Sequence, residues 1–385
     1  MIPYGRQDIS QDDIDAVVAV LRSDFLTQGP VVPAFEAAIC AATGAAHAVA
    51  VNSATSALHI ACLALGLGPG DLLWTVPNTF VASANVGLLC GADVDFVDID
   101  AATYCMSADA LEQKLRAAGR AGRLPKVIMP VAFAGQSADM ARIGALARAH
   151  GVRVIEDASH AIGASHAGRP VGCGDHAAIT VFSFHPVKIV TTAEGGAAVT
   201  QDGELAYRMG LYRSHGVTRD PTRMRNAAGQ GGWYYEQIEL GLNYRMTELQ
   251  AALGLSQMGR LATFVARRHA LAARYDRLLA RLALTRPAQD PMGHSALHLY
   301  PVQVQDRARV FAGLRGAAIG VNVHYIPVHI QPFWQARGFA RGQFPVAEAY
   351  YDHAISLPLF VGLTEAQQDH VVAVLADLVG PAVAA

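Results

Sequence analysis

Between His47 and Thr200 the chain alternates short, nearly continuous apolar runs with amphipathic stretches. The runs are HAVAV (47–51), VDFVDI (94–99), KVIMPVAF (126–133), VRVIE (152–156), ITVFSF (179–184) and GAAVT (196–200). A strand with one face in water alternates apolar and polar side chains, whereas a run that is apolar throughout needs cover on both faces. Segments of helical period such as ADALEQKLRAAG (108–119) and MARIGALARAHG (140–151) lie between them. This rhythm predicts an α/β fold, an open and mostly parallel sheet with helices on both sides.

Residues 203–244, rich in Gly, Arg and Tyr, read as an irregular excursion. A helical tract is expected from Met246 to about Leu282, with Leu271, Tyr275, Leu278 and Leu282 on one face. Strands near 298–304 and 321–326 and helices near 346–354 and 364–379 complete a smaller α+β unit. The expected division is a large domain over 1–245, with the linking helix and small domain over 246–385.

Several function classes lose their signatures. Hydrophobic residues at 52% and charged residues at 16% suit a large core and argue against disorder. A net charge of −2 leaves no electrostatic footprint for nucleic acid. No apolar run approaches the ~20 residues of a membrane span, and MIPYGRQDIS lacks the regions of a signal peptide. The five cysteines are scattered and form no CxxC pair, the pattern of reduced thiols in a cytoplasmic protein. With no HExxH and no Cys/His cluster, no metal is expected. GLGPGD (66–71) falls one residue short of a dinucleotide fingerprint, and GASHA (163–167) misses the GxSxG serine pattern at its last position.

Lysine usage is more informative. Of 30 basic side chains only Lys114, Lys126 and Lys188 are lysine. Arginine holds its proton permanently, while a desolvated lysine can become a nucleophilic amine. Lys188 follows the run ITVFSF, within VFSFHPVKIVTTAEGG, at the carboxyl end of a strand where parallel sheets build their sites. A strand-end lysine reaching solvent explains the position equally well. Asp157, in VIEDASHAIG (154–163), ends another strand at that edge. It is suited to keep the pyridine nitrogen of pyridoxal phosphate protonated, which makes the ring an electron sink. His160 is placed to hydrogen-bond a cofactor oxygen, although an Asp after a strand is more often a helix cap. In VNSATSALHIA (51–61), Ala54, Thr55 and Ser56 form a candidate phosphate cradle at a helix start, to which Ser183 adds a hydroxyl. A capping turn accounts for the same residues. Phe80, in VPNTFVASAN (76–85), offers a ring to stack on the pyridine, unless it belongs to the core.

Phosphate turn, aromatic, Asp-x-x-His and Ser-x-x-x-x-Lys follow in the chain order of fold-type I pyridoxal phosphate enzymes. FLTQGPVVPAFE, NSATSALH, IEDASHA, SFHPVK…EGG, LGLNYRMTELQAALG and SLPLF resemble the DegT-type sugar-nucleotide aminotransferase family almost end to end. The finer matches RSHG, WYYEQIELGLNYRMTELQAALGLSQ and VHYIPVHIQPFW resemble its pseudaminic acid branch. That branch aminates C4 of a UDP-linked 4-keto-6-deoxy-N-acetyl-altrosamine.

The resemblance implies a PLP-dependent transferase of fold type I that takes its amino group from glutamate and works as a homodimer. It makes Lys188 the Schiff-base lysine, Asp157 the pyridinium partner, Phe80 the stacking ring and His160 the neighbour of the ring hydroxyl. Ala54, Thr55 and Ser183 would hold the phosphate, joined by Asn243 of the neighbouring subunit. Tyr4, Thr27, Gly29, Asn85, Tyr325 and His329 would lie on the substrate side. NAAGQGG (226–232) is longer than the pattern leads one to expect. Two rivals are a PLP sugar dehydratase, whose members replace the lysine with histidine, and a regulatory protein that binds PLP without turnover.

Overall fold

The computed structural model describes residues 1–226 and 228–382, and at its centre lies a seven-stranded sheet. Its strands are β1 (His47–Val51), β2 (Leu72–Thr75), β3 (Asp93–Phe96), β4 (Val127–Ile128), β5 (Arg153–Asp157), β6 (Ile179–Ser183) and β7 (Gly196–Thr200). The order is β1-β7-β6-β5-β4-β2-β3. From β6 to β3 every pairing is parallel, while β7 runs antiparallel to both β6 and β1. All of β6 and β7 is buried, as their nearly continuous apolar runs require.

Helices α1 (Gln11–Leu21), α2 (Val31–Thr43), α3 (Ala54–Ala64), α4 (Ala82–Leu89), α5 (Ala108–Arg120), α6 (Met140–Ala149) and α7 (Gly203–Arg213) are followed by α8 (Glu248–Met258) and α9 (Leu261–Leu278). One core lies around α3 and α4; a second, holding Phe35, Ile39, Phe182 and Phe184, covers the other face. Full burial of each such side chain contributes roughly 1.5–3 kcal/mol.

Departures from the sequence expectations have local causes. β2 was not expected, because four Leu-rich residues carry too little strand signal. KVIMPVAF supplies only a two-residue β4: Pro130 has no N–H for the ladder, and pairing returns as one bridge from Val131 to Asp157. The 203–244 excursion opens with the 11-residue helix α7, whose two glycines hid it and which Asp202 caps. The single tract from Met246 breaks after Met258 into α8 and α9. Leu278 is then exposed at the helix end and Leu282 lies beyond it. VNVHYI contributes only the bridge Asn322–Ser356 in place of a strand.

A second, antiparallel sheet pairs β8 (Leu284–Thr285), β9 (Tyr300–Val304) and β10 (Ala354–Leu357) in that order. It carries its own core from Leu271 to Leu375. Met246, Ala251, Leu261, Phe264 and Val265 instead pack with the large sheet, so α8 and the start of α9 share its core. In NAAGQGG, Ala227 lies outside the described residues. Among the described residues no helix is long and apolar enough to cross a membrane, and no cluster of three or more His, Cys, Asp or Glu could hold a metal.

Candidate active site

The turns leaving the carboxyl ends of β2, β4, β5 and β6 enclose a cavity of about 670 Å³, lined by Lys188 and Asp157. Lys114 and Lys126 are committed elsewhere, to Asp95 at 2.6 Å and Asp71 at 2.9 Å. Lys188 has no such ion pair among the described residues, and the surface it keeps faces the cavity. Lost hydration disfavours its ammonium and brings its pKa down to about 7, outweighing the upward pull of Asp157. Near neutral pH a large share of Lys188 is therefore free amine, the nucleophilic form.

Asp157 is buried and held from two sides. The Ser83 hydroxyl donates to Oδ2 at 2.6 Å, while the hydroxyl and N–H of Ser159 donate to Oδ1 at 2.6 and 3.1 Å. Neither serine was singled out in the sequence, although both stand in the quoted motifs. A hydroxyl two residues past a strand-end Asp is the local signal for Ser159.

Helix α3 starts where β1 ends. Ser53 caps it, accepting the N–H of Ser56 at 3.1 Å, and the Ser56 hydroxyl donates to Asn52 at 2.7 Å. Ser56 is thereby committed to the cap and does not line the cavity, in contrast to the sequence expectation. Ala54 and Thr55 do line it. Their N–H groups open the helix, where no intrahelical acceptor exists. Beneath them Gly196 is obligatory, because a Cβ there would lie 2.5 Å from the Ala54 nitrogen. Ser183, opposite Gly196 across the β6–β7 pair, lines the same corner.

Phe80 is 59% exposed on the cavity wall, its ring 6.4 Å from that of Tyr325. The Tyr325 hydroxyl lies 3.1 Å from Nε2 of His160, whose Nδ1 is buried without a partner among the described residues. Burial and the nearby Lys188 hold His160 well below the usual imidazole range, so its ring is neutral. An available amine, a fixed carboxylate, N–H groups at a helix start, an open aromatic face and an imidazole nitrogen without a partner among the described residues fit pyridoxal phosphate.

Of the expected substrate residues, Tyr4 and Tyr325 line this cavity, and Asn85 lines an adjoining one of about 500 Å³. His329 does neither: it is buried, with Nε2 2.8 Å from Glu348. Thr27 bridges Thr247, Gly29 packs beside Glu248, and exposed Asn243 bridges Ser214; all three lie outside the cavity of this chain. His298 and His324 line the cavity unforeseen: His298 arrives from a C-terminal segment with no local motif, and His324, although it stands in VHYIPVHIQPFW, was not singled out.

Comparison with known proteins agrees with this geometry. Residues 7–376 match the DegT/DnrJ/EryC1/StrS aminotransferase family. The chain is 38% identical to the spore coat polysaccharide biosynthesis protein SpsC of Bacillus subtilis, over 98% of this chain and 97% of SpsC. Among solved structures, the putative sugar aminotransferase Spr1654 of Streptococcus pneumoniae in its PMP form superposes with a TM-score of 0.89. It is 30% identical, with 98% and 99% of the two chains covered. PseC of Helicobacter pylori, an aminotransferase involved in the biosynthesis of pseudoaminic acid, gives a TM-score of 0.89 at 31% identity, again over 98% and 99%. The chain belongs to the DegT/DnrJ/EryC1/StrS aminotransferase family, and with it to the pyridoxal-phosphate-dependent sugar aminotransferases.

Proposed function

We propose that this enzyme transfers an amino group from glutamate to C4 of a UDP-linked 4-keto-6-deoxy-N-acetyl sugar, a step toward pseudaminic acid. The observation that carries the chemistry is the Lys188 amine, brought to a pKa of about 7 in the same cavity as Asp157. The likeness to PseC over nearly the whole chain supports the substrate.

Bound pyridoxal phosphate supplies an electron-withdrawing ring and an aldehyde carbon that carries nitrogen from donor to acceptor. Lys188 anchors it and moves the proton at Nζ as general acid and base. Asp157 holds the pyridine nitrogen protonated, with Ser83 and Ser159 keeping the carboxylate in place. The N–H groups of Ala54 and Thr55 and the hydroxyl of Ser183 take the phosphate, and Phe80 covers the ring. Asn243 reaches the site of a second copy of the chain.

The identity to SpsC favours a second reading, an amino sugar bound for a coat polysaccharide, with the nucleotide carrier left open. Turnover against UDP-, dTDP- and GDP-linked keto sugars, with products identified by NMR, separates the two. Amination of a UDP-linked 4-keto sugar at C4 supports the first. Preference for dTDP or GDP, or attack at C3, overturns it.

A further inference from the structure

We infer that His298 is a positioning residue of this site, a flat ring that holds His160 in the orientation in which it meets the cofactor. The inference rests on the reading that His160 faces bound pyridoxal phosphate.

His298 enters the cavity from the segment leading into β9, far along the chain from Lys188 and Asp157. Its ring lies 4.5 Å from that of His160, tilted by 46°. On His160 the Tyr325 hydroxyl meets Nε2 at 3.1 Å, and the Tyr325 ring lies 6.2 Å away at 23°. His160 is thus held between Tyr325 and His298. No hydrogen bond within the described residues involves the His298 side chain, and its Nδ1 is buried without a partner. The backbone that carries this ring and its packing against His160 therefore set its position.

That backbone is constrained from three directions. Leu297 has φ 49°, in the left-handed region that a leucine rarely adopts. Such outliers persist only where the surroundings over-determine them, and they gather at functional sites. Gly135, at φ +102°, passes so close that a Cβ would lie 2.7 Å from the Leu297 nitrogen, 2.9 Å from that of His298 and 3.1 Å from the His160 carbonyl. Behind the segment, Arg268 is buried without a carboxylate partner among the described residues. Its guanidinium donates to the carbonyls of Leu297, His298 and Leu359 at 3.2, 3.2 and 3.0 Å. A strained leucine, a close-approach glycine and a buried cation converge on one residue whose side chain makes no hydrogen bond. Burial and Lys188 keep both imidazoles neutral, so the tilted contact between them carries no charge repulsion.

The test compares His298→Phe, which keeps a flat ring, with His298→Asn, which keeps polarity without one, and includes His298→Ala and His160→Ala. The readouts are the dissociation constant for PLP added to the PLP-free proteins and the pH midpoint of the visible band of the loaded ones. Groups that orient metal ligands are worth about tenfold or more in affinity, and a loss of that size is expected for a group that orients a cofactor contact. H298N and H298A should weaken PLP by about that factor and move the midpoint, while H298F stays within about twofold of wild type. Wild-type values in H298N, or H298F as impaired as H298N, overturn the inference. If H298A does not fold, the Phe and Asn variants decide alone. If H160A leaves both readouts unchanged, the reading of His160 itself fails. If H160A changes them and H298N does not, only the role of His298 is lost.

Discussion

Asp157 accepts a 2.6 Å hydrogen bond from the hydroxyl of Ser83, which ties helix α4 to the end of β5. Ser83 follows Phe80 by three residues, so the contact also fixes where the aromatic wall stands relative to the carboxylate. Asp157→Asn should preserve this packing, bind PLP through the α3 turn, and lose about 100-fold or more in turnover. An amide cannot hold the pyridine nitrogen protonated. PLP content and kcat measured on one preparation check it, and near-native kcat would reduce Asp157 to a structural residue.

Ser83→Ala removes one donor from a buried carboxylate. Hydrogen bonds to charged groups contribute roughly 1.5–3 kcal/mol, and urea unfolding should show a loss in that range. Turnover should fall less than in Asp157→Asn, because Ser159 still holds the other carboxylate oxygen.

Lys188 gives a pH dependence with a definite sign. Its amine keeps a proton up to about pH 7 in the folded, PLP-free protein, but up to about 10.4 when unfolded. Between these values the unfolded chain binds more protons, so stability rises with pH across that window. Below about 7 both states are protonated and the full burial penalty is present. Lys188→Ala should flatten this part of the curve relative to wild type, measured by denaturant unfolding of the PLP-free proteins from pH 6 to about 10.5. PLP uptake by wild type should accelerate through about pH 7. Borohydride should trap the cofactor on Lys188, and Lys188→Arg should not retain it.

How far the sequence reveals this site follows from physical range. That Asp157 and Ser183 at strand ends, Lys188 in the turn after one, and Ala54 and Thr55 at a helix start would meet at one cavity was legible, because a few local residues set the geometry there. Ser56 misled because a serine at a helix start serves an anion or the cap equally well, and only the Asn52 contact decides. His329 stands near Tyr325 in the sequence but turns to Glu348, a choice made by packing nineteen residues away. His298 had no local signature, and His324, beside Tyr325, was not singled out; contacts far along the chain, from Arg268 and Ser356, place them. In the fold, continuous apolar runs marked the buried strands, while the four-residue β2 and the glycine-bearing α7 gave too little periodicity to register.

Gly135→Ala should be costly although it adds one methyl group. At φ +102° an L-residue is strained, and the new Cβ would press on two backbone nitrogens and a carbonyl. Together these effects cost on the order of 3 kcal/mol. Thermal unfolding of the PLP-free protein checks it, and a change under about 1 kcal/mol would mean that the segment relaxes.

Asn243 should serve the cofactor of a partner subunit. It is exposed, bridges Ser214, and lies outside the cavity of its own chain. The excursion that carries it also exposes Trp233 by 78%, Tyr235 by 53% and Leu240 by 80%, and Phe25 is exposed by 53%. Large apolar side chains gathered on one excursion mark a surface that another molecule covers. In a two-fold dimer each copy would give Asn243 to the other, making two equivalent sites. Once Lys188→Ala and Asn243→Ala have each been measured as nearly inactive alone, they can be co-expressed with different tags and the heterodimer isolated. If Asn243 acts across the interface, one site collects both defects and the other is intact, so activity returns to roughly half of wild type. If Asn243 acts within its own chain, every site carries one defect and activity stays near background. No recovery in a verified heterodimer would therefore rule out the shared site at this residue.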